Sequence, residues 1–375
     1  MGKYSFPLKP NVMKTRKSFI LLLLFLIGAY GQAQPVSSLP TAGEISQMEV
    51  ALKEDTVLAA LVGYFADDPV VLYEQYKSAL HRSDSSWEHD QQTLQKLEGI
   101  GSTEKLEILP LIDWFTEDES LKGEAGVAYL IRTDDATILF DLGNNTRDED
   151  PSPLLRNMEQ LGISLEEIDC VVISHNHGDH TGGGKWSRQN TFSFSGRQVE
   201  LEGLPVFTPE EMSYPGLDPV HAEKPVKICE GVVTTGVIMA PLFFLETGEQ
   251  ALLVNVRGKG IVAISGCGHQ TLEKLVKRTE LLFDEPIYGM LGGFHLPISE
   301  GRNIGPVYKY VVTGHLPWDP LTREDIEDHV KLLRESGVRI VGISPHDSCD
   351  ESIAIFREAF RDDYHDIVVG RKISL

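Results

Sequence analysis

The chain reads as an α/β protein, a sandwich of sheet and helix layers carrying a helical appendage at its N-terminal side. Three observations predict this. From Leu106 onward, short runs of β-branched and apolar residues alternate with segments of helical period. Before that point, residues 43 to about 103 place Met48, Val50, Ala51, Leu52, Leu58, Leu61 and Val62 at mixed three and four spacings, with no strand-like alternation. The 375 residues, 41% hydrophobic and 24% charged, have a globular composition and enough chain for a sizeable core. Many strands mixed with helices imply packed layers.

Taken in order, the first element is "MKTRKSFILLLLFLIGAYGQAQP". Lys14, Arg16 and Lys17 precede an apolar run from Phe19 to Ile27, and small residues follow near Gly31 and Ala33. This pattern predicts a signal peptide over 1–33, a mature chain from near Gln34, and a periplasmic or secreted protein. The run is short for a bilayer span and leads into polar sequence, so no stable membrane insertion is expected after cleavage. The helical appendage follows over 34–103, where "GIGSTEK" breaks its pattern, and a single domain is expected over 104–375.

Within that domain, "AGVAYLIRT" and "ATILFDLG" predict two strands joined by the polar turn "DDA". A helix is expected in "PLLRNMEQLGI", then the strand "CVVIS". Later strands are expected in "ALLVNVRG", "GIVAISG", "PIYGMLGG" and "VRIVGIS". "LTREDIEDHVKLLRESG" reads as a capped amphipathic helix, with Thr322 as N-cap, Asp325 three residues on and Gly337 as the stop.

The formal charge of -22 argues against a nucleic-acid partner, which needs clustered Lys and Arg to displace counterions. A small-molecule substrate is expected instead, and the sequence does not decide the oligomeric state. Four cysteines, at 170, 229, 267 and 349, are too few for a disulfide scaffold of this length. Cys170 opens an apolar strand and reads as a small core residue.

The chemistry concentrates in "VVISHNHGDHTGGG". His175, His177, Asp179 and His180 follow a buried strand and precede a glycine-rich turn, a place where a rigid sheet edge presents functional groups. His175 and His177, two apart, can aim at one point, while adjacent Asp179 and His180 aim at another. Two borderline-soft cations could sit side by side. Crowding three imidazoles beside a core strand without such a purpose would be costly.

These residues match the H-x-H-x-D-H signature in full, and the chain from about 106 to 375 resembles the metallo-β-lactamase superfamily. The resemblance implies an αββα sandwich and two divalent ions, zinc by preference with manganese or iron as alternatives. Asp141 in "FDLGNN" is similar to the superfamily's first acid, which implies a role orienting the histidine loop. More narrowly, "SGCGHQ", "GGFHL" and "SPHDSCDESIAIF" resemble the branch of dihydropterin ribofuranosylaminobenzene phosphate synthase-like proteins. The last segment departs from the branch pattern, and only its histidine carries over.

The resemblance implies His175, His177, Asp179, His180, His269 and His346 as metal ligands. Cys267, where most of the superfamily has a bridging aspartate, reads equally as a thiolate ligand or a buried thiol. His295 is expected to contact substrate or support the ligands. A lone histidine usual between the cluster and the bridging acid has only His221 as a candidate, in the Pro-bounded "LDPVHAEKP", expected at the surface; His269 takes its role. The implied function is hydrolysis by a metal-bound hydroxide, with Asp179 ligating and orienting the nucleophile, on a phosphoester or related small molecule. A β-lactam or lactone hydrolase, and a metal-containing binding or sensing module without turnover, are the alternatives.

Overall fold

A computed structural model of the chain describes residues 39–199, 201–242, 246–300, 305, 308–310 and 312–375. The expected signal peptide lies outside the described residues. Among the described residues the first elements are three helices, α1 (Ala42–Glu54), α2 (Thr56–Phe65) and α3 (Pro69–Thr93). Each start is chemically marked. Thr41 and Glu44 form a capping box on α1, the Asp55 carboxylate accepts from Val57 and Leu58 at the start of α2, and Asp68 caps α3 ahead of Pro69 in its first turn.

Helix does not continue to residue 103. Beyond Thr93 the chain runs without regular structure to Thr103, because Leu94 and Leu97 pack against the domain core and Thr103 bridges to Val256 in sheet fashion. Tertiary packing overrides the helical reading of this stretch.

The domain opens with β1 (Glu107–Ile112), β2 (Ala128–Arg132) and β3 (Thr137–Phe140), then α4 (Pro153–Gln160), β4 (Cys170–Val172) and the short α5 (Gly184–Ser187). Next come β5 (Val206–Thr208), β6 (Val220–His221), β7 (Lys227–Cys229), β8 (Val232–Thr234), β9 (Ile238–Pro241) and β10 (Glu246–Glu249). The chain closes with β11 (Leu252–Val256), β12 (Gly260–Ser265), α6 (Leu272–Leu282), β13 (Ile287–Gly292), α7 (Arg323–Glu335), β14 (Ile340–Ile343), α8 (Asp350–Phe360) and β15 (Ile373–Ser374).

One sheet orders its strands β15-β1-β2-β3-β4-β5-β6, a second orders them β14-β13-β12-β11-β8-β7, and β9 and β10 form a separate hairpin. The two large sheets face each other. Phe140 and Val172 from the first share one buried cluster with Leu252, Val262 and Leu291 from the second. Outside the first sheet, Leu154 and Met158 of α4 cover Leu109 and Val171; outside the second, α6, α7 and α8 cover Ala263, Met290 and Val341. The result is an αββα sandwich in which each sheet buries both faces, which is why its strands read as near-continuous apolar runs.

The expected helix over 322–337 is present with its Thr322–Asp325 capping box, and Gly337 follows it at φ 79°. All four cysteines are free.

Candidate metal centre

Strands β3 and β4 run parallel, as do β12, β13 and β14, so their carboxyl ends meet along one rim of the sandwich. Ligand sites in such sheets form at that rim. Asp141 follows β3, Ser174 to His180 follow β4, Gly266 to His269 follow β12, Gly293 to His295 follow β13, and Ser344 to Asp347 follow β14. Two glycines let these loops touch. A Cβ on Gly266 would lie 2.2 Å from Ser174 Oγ, and one on Gly293 would lie 2.2 Å from the Gly266 carbonyl oxygen.

Among the described residues two donor groups that share no member result, with His295 close to one residue of each, His269 and Cys267. His175, His177 and His269 converge, with Nδ1 of His177 3.1 Å from His175 Nε2 and 3.2 Å from His269 Nε2. Tetrahedral zinc with bonds near 2.0–2.1 Å spaces its nitrogen ligands by about 3.3 Å, so the three imidazoles fit one ion. Beside them stand Asp179, His180, Cys267 and His346. The Cys267 Sγ is 2.9 Å from His180 Nε2 and 3.2 Å from His346 Nε2, and Asp179 Oδ2 is 3.6 Å from His180 Nε2. Asp179 Oδ1 is buried with no hydrogen-bond partner, as an oxygen reserved for a cation would be. A carboxylate, a sulfur and two imidazoles form a borderline-soft set suited to a second divalent ion.

A layer of hydrogen bonds aims these donors. His180 Nδ1 lies 2.7 Å from Asp141 Oδ2, which places the proton on Nδ1 and turns the Nε2 lone pair toward the site. Ser174 donates from its backbone N–H to Asp141 Oδ1 and from its hydroxyl to Oδ2, both at 2.7 Å. Asp141 adopts φ 62°, a conformation rare for a side chain with Cβ, and its carboxylate is wholly buried. On the opposite sheet, Ser344 Oγ is 2.6 Å from His346 Nδ1 and donates to Asp113 Oδ2 at 2.6 Å, where the Tyr129 hydroxyl also donates at 2.8 Å. The Glu249 carboxylate accepts the backbone N–H groups of Cys267, Gly268 and His269 at 2.9, 2.9 and 2.7 Å, shaping the turn that carries two donors.

Electrostatics separate the two groups before any ion binds. Burial depresses His177 to about 4 and pushes His175 and His269 well below the ordinary imidazole range, so all three are neutral and ready to ligate at pH 7. Burial alone would also depress His180, but Cys267, Asp179 and Asp141 outweigh it and raise this imidazole well above its usual range, so a cation bound here would take the place of its Nε2 proton. Asp179 moves the other way. Burial would raise its carboxyl, yet His180, His177 and His346 hold it well below the ordinary carboxylate range. Cys267 is raised by burial, and a bound cation would deprotonate it.

His295 stands between this centre and an adjoining cavity of about 190 Å³. Its ring is 4.3 Å from that of His269, its backbone sits at φ 44°, its N–H donates to Asp347 Oδ2 at 3.0 Å, and its Nδ1, 3.9 Å from the same carboxylate oxygen, is buried with no hydrogen-bond partner. The cavity also receives His315, His329, Glu273 and Asp325.

The structure therefore brings together His175, His177, Asp179, His180, His269 and His346, with Asp141 behind His180 and His295 at the margin. His221 is exposed, on the two-residue strand β6 and not in a loop. Sequence reasoning missed Glu249, Asp113, Ser344, Ser174 and Asp347. Ser174 and Ser344 were the findable ones, since each lies within two residues of a proposed ligand at a strand end.

Residues 121–269 match the metallo-beta-lactamase superfamily. A 7,8-dihydropterin-6-methyl-4-(beta-D-ribofuranosyl)-aminobenzene-5'-phosphate synthase of Methanocaldococcus jannaschii is 24% identical over 320 residues, covering 74% of this chain and 99% of that protein. An uncharacterized protein of the same organism is 27% identical over 195 residues, 46% of this chain and 72% of that protein. Among solved structures, a metal-dependent hydrolase of the beta-lactamase superfamily is 23% identical, with a TM-score of 0.49 over 72% of this chain and 98% of that one.

Proposed function

We propose that the chain, whose residues 121–269 match the metallo-beta-lactamase superfamily, is a metal-dependent hydrolase holding two divalent ions, zinc by preference, and acting on a phosphoester or related small molecule. The observation that carries this reading is the pair of adjoining donor groups, three neutral imidazoles on one side and Asp179, His180, Cys267 and His346 on the other. Divalent ions there would supply Lewis acidity and lower the pKa of water toward neutrality. Asp179, ionised and with one buried oxygen that has no hydrogen-bond partner, would ligate and orient the attacking water. Asp141 keeps His180 in the ligating tautomer. His295, neutral because burial depresses it to about 3, faces the cavity margin and can hydrogen-bond the substrate.

The phosphoester reading is supported by the relative from Methanocaldococcus jannaschii, which is named as a synthase of a 5'-phosphate. We also propose export, from the basic and apolar pattern at Lys14 to Ile27. The mature N-terminus near Gln34 would test it. The functional experiment is a panel of phosphomonoesters, phosphodiesters, lactones and β-lactams with zinc, manganese and iron. Turnover of a phosphoester supports the reading, turnover of lactams or lactones alone replaces the substrate class, and stoichiometric metal without turnover favours a binding module.

A further inference from the structure

The N-terminal helices supply no atom to either donor group, yet they hold a segment that walls the centre. The Asp55 carboxylate, which caps α2, accepts the hydroxyl of Tyr310. Leu58, Leu61, Val62 and Leu72 bury themselves against Tyr310 and Val312. Further along, the Tyr76 hydroxyl donates to the Gly314 carbonyl oxygen at 2.7 Å, and the edge of Tyr73 meets Trp318 with ring centroids 4.9 Å apart. Helices and segment thus share two hydrophobic clusters and two hydrogen bonds.

The other face of the segment is the active-site side. Tyr308 lies on the same short 3₁₀ turn as Tyr310, and its ring centroid is 5.9 Å from that of His295. Thr313 and His315 line the adjoining cavity. A three-residue turn has too few internal bonds to fix a ring by itself. Its anchorage here comes through Tyr310, whose hydroxyl and ring are both held by α2.

We infer that Tyr308 contacts substrate at the metal centre, donating its phenol O–H to a phosphoryl oxygen, and that the N-terminal helices are the clamp that positions it. The substrate half of this inference rests on the phosphoester reading above, and the clamp half does not. The charge around the phenol suits the role: burial first, then Cys267, Asp179 and Asp347, keep its proton in place, so the group can only donate to an anionic oxygen. The neutral imidazole of His295 beside it would share that oxygen. In this arrangement the appendage shapes the site without entering it.

The test uses full-length, metal-loaded protein. Tyr308→Phe should retain both ions and lose on the order of tenfold or more in kcat/KM on the best phosphoester and in affinity for inorganic phosphate. Tyr310→Phe removes only the bond to Asp55 and leaves the α2 cap intact. It should keep its metal, raise amide exchange across 308–318 and lower kcat/KM in the same direction, with an Asp55→Asn variant, which retains an acceptor, falling less than Asp55→Ala. Tyr64→Phe, on an exposed side chain, should match wild type. Wild-type catalysis and phosphate affinity in Tyr308→Phe would overturn the substrate contact, and unchanged exchange over 308–318 in Tyr310→Phe and Asp55→Ala would overturn the clamp. If metal-loaded wild type neither cleaves a phosphoester nor binds phosphate, the phosphoester reading and the Tyr308 contact fall together, while the exchange measurement still decides the clamp.

Discussion

Glu249 reaches across from the end of β10 to accept the backbone N–H of Cys267 at 2.9 Å, although neither residue is near the other in sequence. The same carboxylate gathers the next two N–H groups as well. Replacing it with Gln would put an amide nitrogen among three donors, leaving at least one buried N–H unpaired. Glu249→Gln should weaken metal binding by about 10–100-fold, as removal of an outer support does. Metal titration of the folded variant checks this, and wild-type affinity would show that the turn holds without it.

Cys267 was open in the sequence between ligand and core thiol, and its distances to His180 and His346 now favour ligation. Cobalt-loaded protein should show a sulfur-to-cobalt charge-transfer band that disappears in Cys267→Ser. A spectrum identical in the two would make the thiol a bystander.

His269 and His221 offer a paired test, since both were candidates for one coordination role. His269 is buried among the imidazoles and His221 is exposed. His269→Ala should lose an ion and activity together; His221→Ala should change neither. Full metal content in His269→Ala would contradict the assignment.

The buried imidazoles also set a pH dependence. Burial lowers His177 from 6.5 to about 4 and His295 from 6.5 to about 3 in the folded chain. Between those values and 6.5 the unfolded chain binds more protons than the folded one, so stability rises with pH through this window and falls as pH drops from 6.5 toward 4. Thermal melts of chelator-treated protein should show the midpoint declining over that range, and the decline should shrink in a His177→Gln variant. A flat profile from pH 6.5 to 4.5 would mean these imidazoles protonate freely in the fold.

Much of the fold was legible because the strands at 128–132, 137–140, 252–256 and 260–265 are apolar on both faces and bounded by turn residues. The helical reading to residue 103 failed because 94–103 is held by partners from Leu282 and Asn255, far away in sequence. The ligands were legible because imidazoles after strands form a dense local pattern. Glu249 and Asp113 were not, since a lone acid at a strand end looks the same whether it meets water or three buried N–H groups. Tyr308 was hidden for a similar reason, being defined only by a segment that folds onto the N-terminal helices.

Whether the centre performs hydrolysis or merely binds metal is decided at Asp179. Its carboxylate touches the second donor group and keeps one oxygen free of hydrogen bonds. Asp179→Asn retains size and removes charge, and should lose transition-state stabilisation more than ground-state binding. The measurement is kcat on the best substrate of the ester and lactam panel, with metal content determined on the same samples. Wild type should turn over a phosphoester, and Asp179→Asn should lose on the order of a hundredfold or more in kcat. Asp179→Asn matching wild type, or metal-replete wild type cleaving nothing, would contradict hydrolysis at this centre.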